Sequence, residues 1–256
     1  MSDDTESSGA LVTRPAASLA ARASQIALMR EDTTRSPEFL EQRHLIHARM
    51  ADRKVLNQLR NVRTRLLQRS GETNSITLIT AVGGDSGSAN MALNLAISFA
   101  LDSTKTALVV DCNIHDPELD RILDIESGLG LTDYLVDDSI GMEAILYQTG
   151  IARLRLIPAG THFESGAEFF TSSSMQLFLQ AVKLRYPDRF IVLHAPPIDV
   201  SADSRILAQL CDMTVLVTGY GGVSEARLIE AANIVGRERL AGVVVNQVPS
   251  LPFLDR

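Results

Sequence analysis

Four groups of residues in this chain could do chemistry, and each follows a short apolar run. The first is a glycine-rich turn. Ile76-Thr77-Leu78-Ile79-Thr80-Ala81 leads into Val82-Gly83-Gly84-Asp85-Ser86-Gly87-Ser88-Ala89-Asn90, and Met91-Ala92-Leu93-Asn94-Leu95-Ala96 continues with helical spacing. A strand, a glycine turn and a helix start in that order set out a phosphate-binding P-loop, whose backbone N–H groups and helix N-terminus face an anion. Such a loop closes on Gly-Lys-Ser/Thr: the Lys reaches the β/γ-phosphates and the hydroxyl sits on Mg²⁺. Here Ser88 and Ala89 follow Gly87, so both groups are missing. The three lysines, Lys54, Lys105 and Lys183, all lie outside the loop, and Gly83 and Gly84 occupy the region where deviant loops carry a second Lys. A lost charge-assisted contact costs about 1.5–3 kcal/mol. Without the Mg²⁺ hydroxyl the organisation of phosphoryl transfer goes too. Asp85 adds negative charge beside any phosphate.

The other three groups also stand at the ends of apolar runs. In Val109-Val110-Asp111-Cys112-Asn113-Ile114-His115-Asp116-Pro117, Asp111 ends a strand where Mg²⁺ would be organised, although an Asp there also serves as a turn or cap residue. In Phe190-Ile191-Val192-Leu193-His194-Ala195-Pro196-Pro197, His194 takes the position of a Walker B carboxylate. A neutral imidazole is a poor ligand for Mg²⁺, a hard cation that selects oxygen. No second His or Cys stands at zinc-ligand spacing from it, so a packed or hydrogen-bonded imidazole is expected and no metal site. In Gly242-Val243-Val244-Val245-Asn246-Gln247-Val248, Asn246 can bond an adenine edge or cap a turn.

These residues must be positioned by alternating elements. Strands are expected over 76–82, 106–111, 154–158, 190–194, 213–218 and 241–246. Most are apolar on both faces, as parallel strands covered by helices must be. Helices are expected over 89–101, 140–148, 173–185, 202–210 and 224–238. The alternation predicts an α/β, doubly wound, mostly parallel sheet, with ligands at the carboxyl ends of its strands. That domain spans 71–256. Before it, 1–35 reads as a disordered tail, rich in Ser, Thr, Ala and Arg. Residues 36–70 form a helical extension: a short helix over 37–48 starting at Pro37, then an amphipathic helix over 50–69. Val55, Leu59, Val62 and Leu66 line one face of the latter, with arginines on the others.

Bulk properties bound the rest. The chain has 256 residues, 45% of them hydrophobic, enough for a sizeable core. Net charge is −7, split between +4 over residues 1–70 and −11 over 71–256. The acidic domain argues against general nucleic-acid binding. The basic arm suits an acidic partner or anionic lipid, or is simply a solvated helix. No apolar run reaches the roughly 18–20 residues that cross a bilayer. No signal peptide is read at the acidic start, and Cys112 and Cys211 read as buried thiols of a reducing compartment, so a cytoplasmic location is expected.

Taken together, these features resemble the bacterial tyrosine kinases of polysaccharide export, part of the MinD/ParA-like P-loop group. The resemblance covers about residues 50–248. It rests on Asn94-Leu95-Ala96, Val110-Asp111 with Pro117, Gly130-Leu131-Thr132-Asp133-Tyr134-Leu135, Leu156-Ile157-Pro158-Ala159-Gly160 and Tyr186-Pro187-Asp188-Arg189-Phe190 leading to Pro196-Pro197. The last stretch is similar to the branch found in exopolysaccharide operons with exosortase systems. Departures fall on chemistry. Ser88 and Ala89 replace the loop Lys and hydroxyl, Asn113 the second acidic residue after Asp111, His115 a basic residue and His194 the Walker B Asp. Arg60 and Arg63 keep two positions of a subunit-contact motif whose Glu has become Asn57. After Tyr220 the sequence has no Tyr, where the family carries a C-terminal tyrosine cluster.

The resemblance therefore implies a degenerate, pseudokinase-like member with Gly83, Gly84, Asp85, Ser86, Gly87, Ser88, Ala89, Asn90 and Asn246 as a vestigial nucleotide loop. Asp111, Asn113 and His194 would be vestigial metal and catalytic positions, with Arg60 and Arg63 at a subunit contact. It implies a scaffold or regulator of exopolysaccharide biosynthesis and export, with a membrane chain-length regulator (polysaccharide co-polymerase), a homologous kinase or further copies of itself as partners, cytoplasmic and peripheral to the inner face of the membrane through a partner. No cofactor is expected beyond weak ATP or ADP. The alternatives are a nucleotide-binding switch or a weakly active ATPase or tyrosine kinase of the same pathway.

Overall fold

The computed structural model describes residues 31–71, 73–84, 86–161, 166–185 and 189–249. Asp85, most of the N-terminal tail and the Tyr186–Asp188 segment lie outside them. Seven strands form one sheet: β1 (Ile76–Ala81), β2 (Thr106–Asp111), β3 (Tyr147–Gln148), β4 (Leu154–Ile157), β5 (Arg189–Ala195), β6 (Met213–Gly219) and β7 (Leu240–Asn246). Their order is β3-β4-β2-β5-β1-β6-β7. Every pair is parallel except β3 with β4.

The strands are apolar on both faces because each face carries its own core. Ile76, Leu78, Leu108, Val110, Ile191 and Leu193 point to one side. Ile79, Ala107, Val109, Phe190 and Val192 alternate to the other, as the two-residue period of a strand requires. On the second side lie α1 (Pro37–Gln42), α2 (Arg53–Arg69) and α3 (Ser88–Ala100). Phe99 of α3 stacks on Phe190 of β5, ring centroids 4.1 Å apart. Short α4 (Leu119–Leu123) packs on the same side. The opposite face is covered by α5 (Leu131–Val136), α6 (Gly166–Thr171), α7 (Ser173–Arg185), α8 (Ala202–Leu210) and α9 (Glu225–Val235).

Several expectations are corrected. The segment expected as a helix over 140–148 is a 3₁₀ turn, Met142–Ile145, followed by β3. Tyr147 and Gln148 pair antiparallel with Leu156 and Arg155 of β4, and the Tyr147 hydroxyl donates to Leu129 O and accepts from Gly128 N, each at 3.0 Å. The helix expected over 37–48 ends at Gln42. His44 adopts φ +56°, which sends Leu45 and Ile46 into the core, and Ile46 N donates to Asn94 Oδ1 at 2.8 Å. On α2 the buried stripe is Leu56, Leu59 and Leu66, while Val55 is 39% exposed. Of the expected disordered tail, residues 31–35 are held: Arg35 N donates to Gly150 O at 2.9 Å, and Glu31 pairs with Arg155.

Candidate functional site

Parallel pairing brings the carboxyl ends of β1, β2, β5, β6 and β7 to one edge of the sheet, and the candidate residues gather there. β1 runs on through Val82, whose N–H donates to Val217 O at 2.8 Å, and the chain then reverses through the glycine loop. Two loop positions demand glycine. Gly83 has φ +79° and a Cβ there would come within 2.6 Å of Val223 Cγ1. Gly87 has φ +69° and a Cβ there would come within 2.7 Å of Asn246 Nδ2. Asn246 is close because its amide donates to Ser86 O at 2.9 Å, pinning the loop from the end of β7. Asn90 spends its amide on Arg43 O at 2.7 Å, tying α3 to the turn after α1.

The β2–β5 register sets Asp111 directly beside His194, one strand spacing away. His194 Nδ1 lies 3.1 Å from Asp111 Oδ1, and both side chains are 1% exposed. Asp111 also accepts from Asn113 N on Oδ1 and from Glu118 N and Leu119 N on Oδ2, each at 3.0 Å. Four donors therefore converge on this carboxylate, and the loop after β2 is folded around it. With both Asp111 oxygens acting as acceptors, Nδ1 carries the imidazole proton. Nε2 then presents its lone pair to Ser88 Oγ, 3.4 Å away. Ser88 is the first residue of α3 and partly exposed.

Reading residue types missed Asp199, which follows the Pro196-Pro197 turn. Its carboxylate accepts from Gly83 N at 3.2 Å and is paired with Arg227. An internal carboxylate thus occupies one N–H of the loop. Nothing in a single sequence signals this, because it depends on where the turn after β5 lands. A cleft of about 530 Å³ opens over the loop, lined among others by Gly84, Ser88, Asn113, His194 and Gln247. A second cavity, of about 480 Å³, lies between α2, α3 and β7, with Gln58, Val62, Asn94 and Asn246 on its walls.

Of the two arginines expected at a subunit contact, Arg63 turns inward, its guanidinium donating to Ser98 O at 2.7 Å, while Arg60 is exposed. Cys112 and Cys211 are buried free thiols. Burial, reinforced by the Asp111 carboxylate, pushes Cys112 well above the usual thiol range, and burial does the same to Cys211.

No protein-family model matches the chain. Among curated proteins it is 26% identical over 185 residues to the tyrosine-protein kinase CpsD of Streptococcus agalactiae, covering 71% of this chain and 79% of that protein. It is 27% identical over 203 residues to the tyrosine-protein kinase YwqD of Bacillus subtilis strain 168, covering 77% and 84%. Among solved structures, the chimerical protein CapA2B2 superposes with a TM-score of 0.74 at 18% identity, over 91% of this chain and 100% of that one. The kinase domain of the Escherichia coli tyrosine kinase ETK gives 0.71 at 19% identity, over 88% and 86%. The Pyrococcus furiosus cell division ATPase MinD gives 0.55 at 17% identity, over 67% and 71%. In sequence the chain is similar to bacterial tyrosine kinases, and in fold to their kinase domains and, more distantly, to MinD.

The donor set at the strand ends can be tested against a magnesium–nucleotide. A magnesium–nucleotide needs hard oxygen ligands and a cation on its phosphates. The residues do not fit it. Asp111 is saturated by N–H donors, the neighbouring strand offers an imidazole, and a carboxylate holds Gly83 N. Among the described residues no group of three His, Cys, Asp or Glu side chains is arranged to hold a metal ion.

Proposed function

We propose that this bacterial-tyrosine-kinase-like protein has given up phosphoryl transfer and acts as a scaffold or regulator in exopolysaccharide assembly or export. Its partners in this reading are a membrane chain-length regulator, an active kinase homologue or further copies of itself, and it is held at the inner face of the membrane through them. The observation that carries the reading is the Asp111–His194 pair. At the two strand ends where this fold would organise a divalent cation, an imidazole and a carboxylate satisfy one another in the interior, 3.1 Å apart. The loop's Ser88 and Ala89 supply neither the cation nor the hydroxyl of a working site. Among the described residues no helix is long and apolar enough to cross a membrane, which supports attachment through a partner. The exposed Arg60 on α2 is offered to such a contact.

The test is ATP turnover and autophosphorylation of the purified protein with Mg²⁺, against a variant carrying Gly87→Asp. Turnover indistinguishable from the variant is expected; turnover well above it sinks the reading. Affinity isolation of the complex from cell membranes then identifies the partner. A second reading, nucleotide binding without catalysis, is favoured by the cleft over the loop, where first-turn N–H groups of α3 have no intrahelical acceptor. Titration calorimetry with ADP and ATP, with and without Mg²⁺, separates the two: no heat at millimolar ligand removes the switch.

A further inference from the structure

The residues that replace the phosphoryl-transfer groups do not stand as unrelated losses. Ser88 Oγ is 3.4 Å from His194 Nε2, and His194 Nδ1 is 3.1 Å from Asp111 Oδ1. A serine hydroxyl, an imidazole with its lone pair turned to that hydroxyl, and a carboxylate fixing the imidazole's tautomer form the hydrogen-bond chain that activates a serine nucleophile, a constellation recognised by geometry and not by sequence order. We propose that Ser88, His194 and Asp111 form such a relay, and that the cleft above Ser88 accepts a small, uncharged carboxylic ester.

Three further features suit the assignment. The serine end of the chain is the accessible end: Ser88 is partly exposed on the cleft, while His194 and Asp111 are shielded behind it. Ser88 opens a 13-residue helix directly after a left-handed glycine. The N–H of Ala89, next after the nucleophile, therefore lies in the first turn, where donors without an intrahelical acceptor and the helix dipole can meet a developing oxyanion. The walls select the substrate. Asp116 (paired with Arg121) and Glu118 border the cleft and disfavour an anionic ligand. Gly84, Asn113 and Pro196 give the cleft short or polar wall surfaces, which suit a short acyl group.

The reaction balances with water as the co-reactant. Ser88 Oγ attacks the carbonyl carbon as its proton passes to His194 Nε2. The ester C–O bond breaks and the leaving alkoxide takes that proton, giving an alcohol and acyl-Ser88. Water attacks the acyl group, its proton going to His194, and Ser88 leaves with that proton as the carboxylic acid is released. Asp111 is a positioning residue throughout. The relay and the scaffold reading share the Asp111–His194 pair but are tested apart, the scaffold reading by ATP turnover and partner isolation and the relay by labelling at Ser88.

The test uses the full chain with a fluorophosphonate probe, read by intact mass and peptide mapping, beside hydrolysis of p-nitrophenyl acetate. A single adduct at Ser88 is expected, absent in Ser88→Ala. In His194→Gln labelling should slow at least about 100-fold, the usual contribution of a general base. The melting temperatures of all variants are measured alongside. In Asp111→Asn, labelling must fall further than any shift in melting explains, and a rate that merely follows unfolding removes its positioning role. Should His194→Gln fail to fold, Ser88→Cys replaces it, and an imidazole-activated thiol there is expected to alkylate with iodoacetamide about 100-fold faster than a free cysteine thiol. No Ser88 adduct at millimolar probe on folded protein, an equal labelling rate in His194→Gln, or a Ser88→Cys thiol of ordinary reactivity would each overturn the relay.

Discussion

Gly87 is a position whose backbone and close contacts require glycine, whatever binds at the loop. Its φ of +69° lies in the left-handed region, and its Cα faces the Asn246 amide so closely that a methyl group would sit 2.7 Å from Nδ2. Gly87→Ala therefore meets two penalties, backbone strain of order 1–3 kcal/mol and displacement of the amide that holds Ser86 O. A loss of about 2–4 kcal/mol in urea unfolding is expected from the two together. Gly87→Ala combined with Asn246→Ala should recover part of it, because the second change removes the colliding amide and leaves the strain. Non-additivity of that sign is what a double-mutant cycle reports for groups in contact. Strictly additive losses would mean the two residues do not touch. The same chemistry explains why the glycines persist beside Ser88 and Ala89: the turn is needed to join β1 to α3 whether or not an anion binds there.

The helix α2 illustrates what apolar spacing gives and what it leaves out. Its 17 residues begin at a side-chain cap, Asp52 accepting from Lys54 N at 2.8 Å, and its existence was legible from periodicity. The face was legible only to within one residue. Leu56 is fully buried and Val55 is 39% exposed, although Val55 fits the stripe of Leu59, Val62 and Leu66 equally well on spacing alone. The sheet-side core, with Ile79 and Phe99, decides the rotation. Leu56→Ala should accordingly cost about 2–5 kcal/mol, and Val55→Ala no more than about 0.5 kcal/mol, both read from chemical denaturation. Equal costs would mean that the helix is rotated from its position here. The parallel strands were readable for a related reason: each faces two cores, so each is an uninterrupted apolar run. β3 was not. It is two residues long, and its pairing with β4 is a tertiary contact set against an apolar spacing that reads as helical. The site divides in the same way. Ser88, Asp111, His194 and Asn246 could be picked out one by one at strand ends. Their joining needs the strand order β2-β5-β1, which sets residues far apart in sequence side by side, and Asp199 reaches Gly83 only through a turn.

At the scale of the whole molecule, the fold has the strand–loop–helix frame of a P-loop, while its strand-end side chains Asp111 and His194 satisfy one another. That frame can be tested by reversal. In Ser88→Lys with Ala89→Thr and His194→Asp, the loop gains a cation and a hydroxyl, and β5 gains a carboxylate. The new Asp would face Asp111 at a paired register position where both side chains are 1% exposed. Two like charges so placed and so poorly hydrated oppose each other, and the proton that His194 gives to Asp111 is gone. The triple variant should therefore melt below the wild type in the absence of ligand. Mg²⁺ with ADP or ATP supplies the missing positive charge and binds only the folded form. Ligand at a hundredfold its dissociation constant adds about 2.7 kcal/mol to stability, so the variant's melting temperature should climb with Mg²⁺–nucleotide while the wild type's stays fixed. Two results contradict this. A variant that ignores Mg²⁺–nucleotide would show that the frame has drifted beyond repair by three residues. A wild type that rises as far as the variant would show that binding never depended on those residues, and the reading of the Asp111–His194 pair as a replacement for the cation site would fail with it.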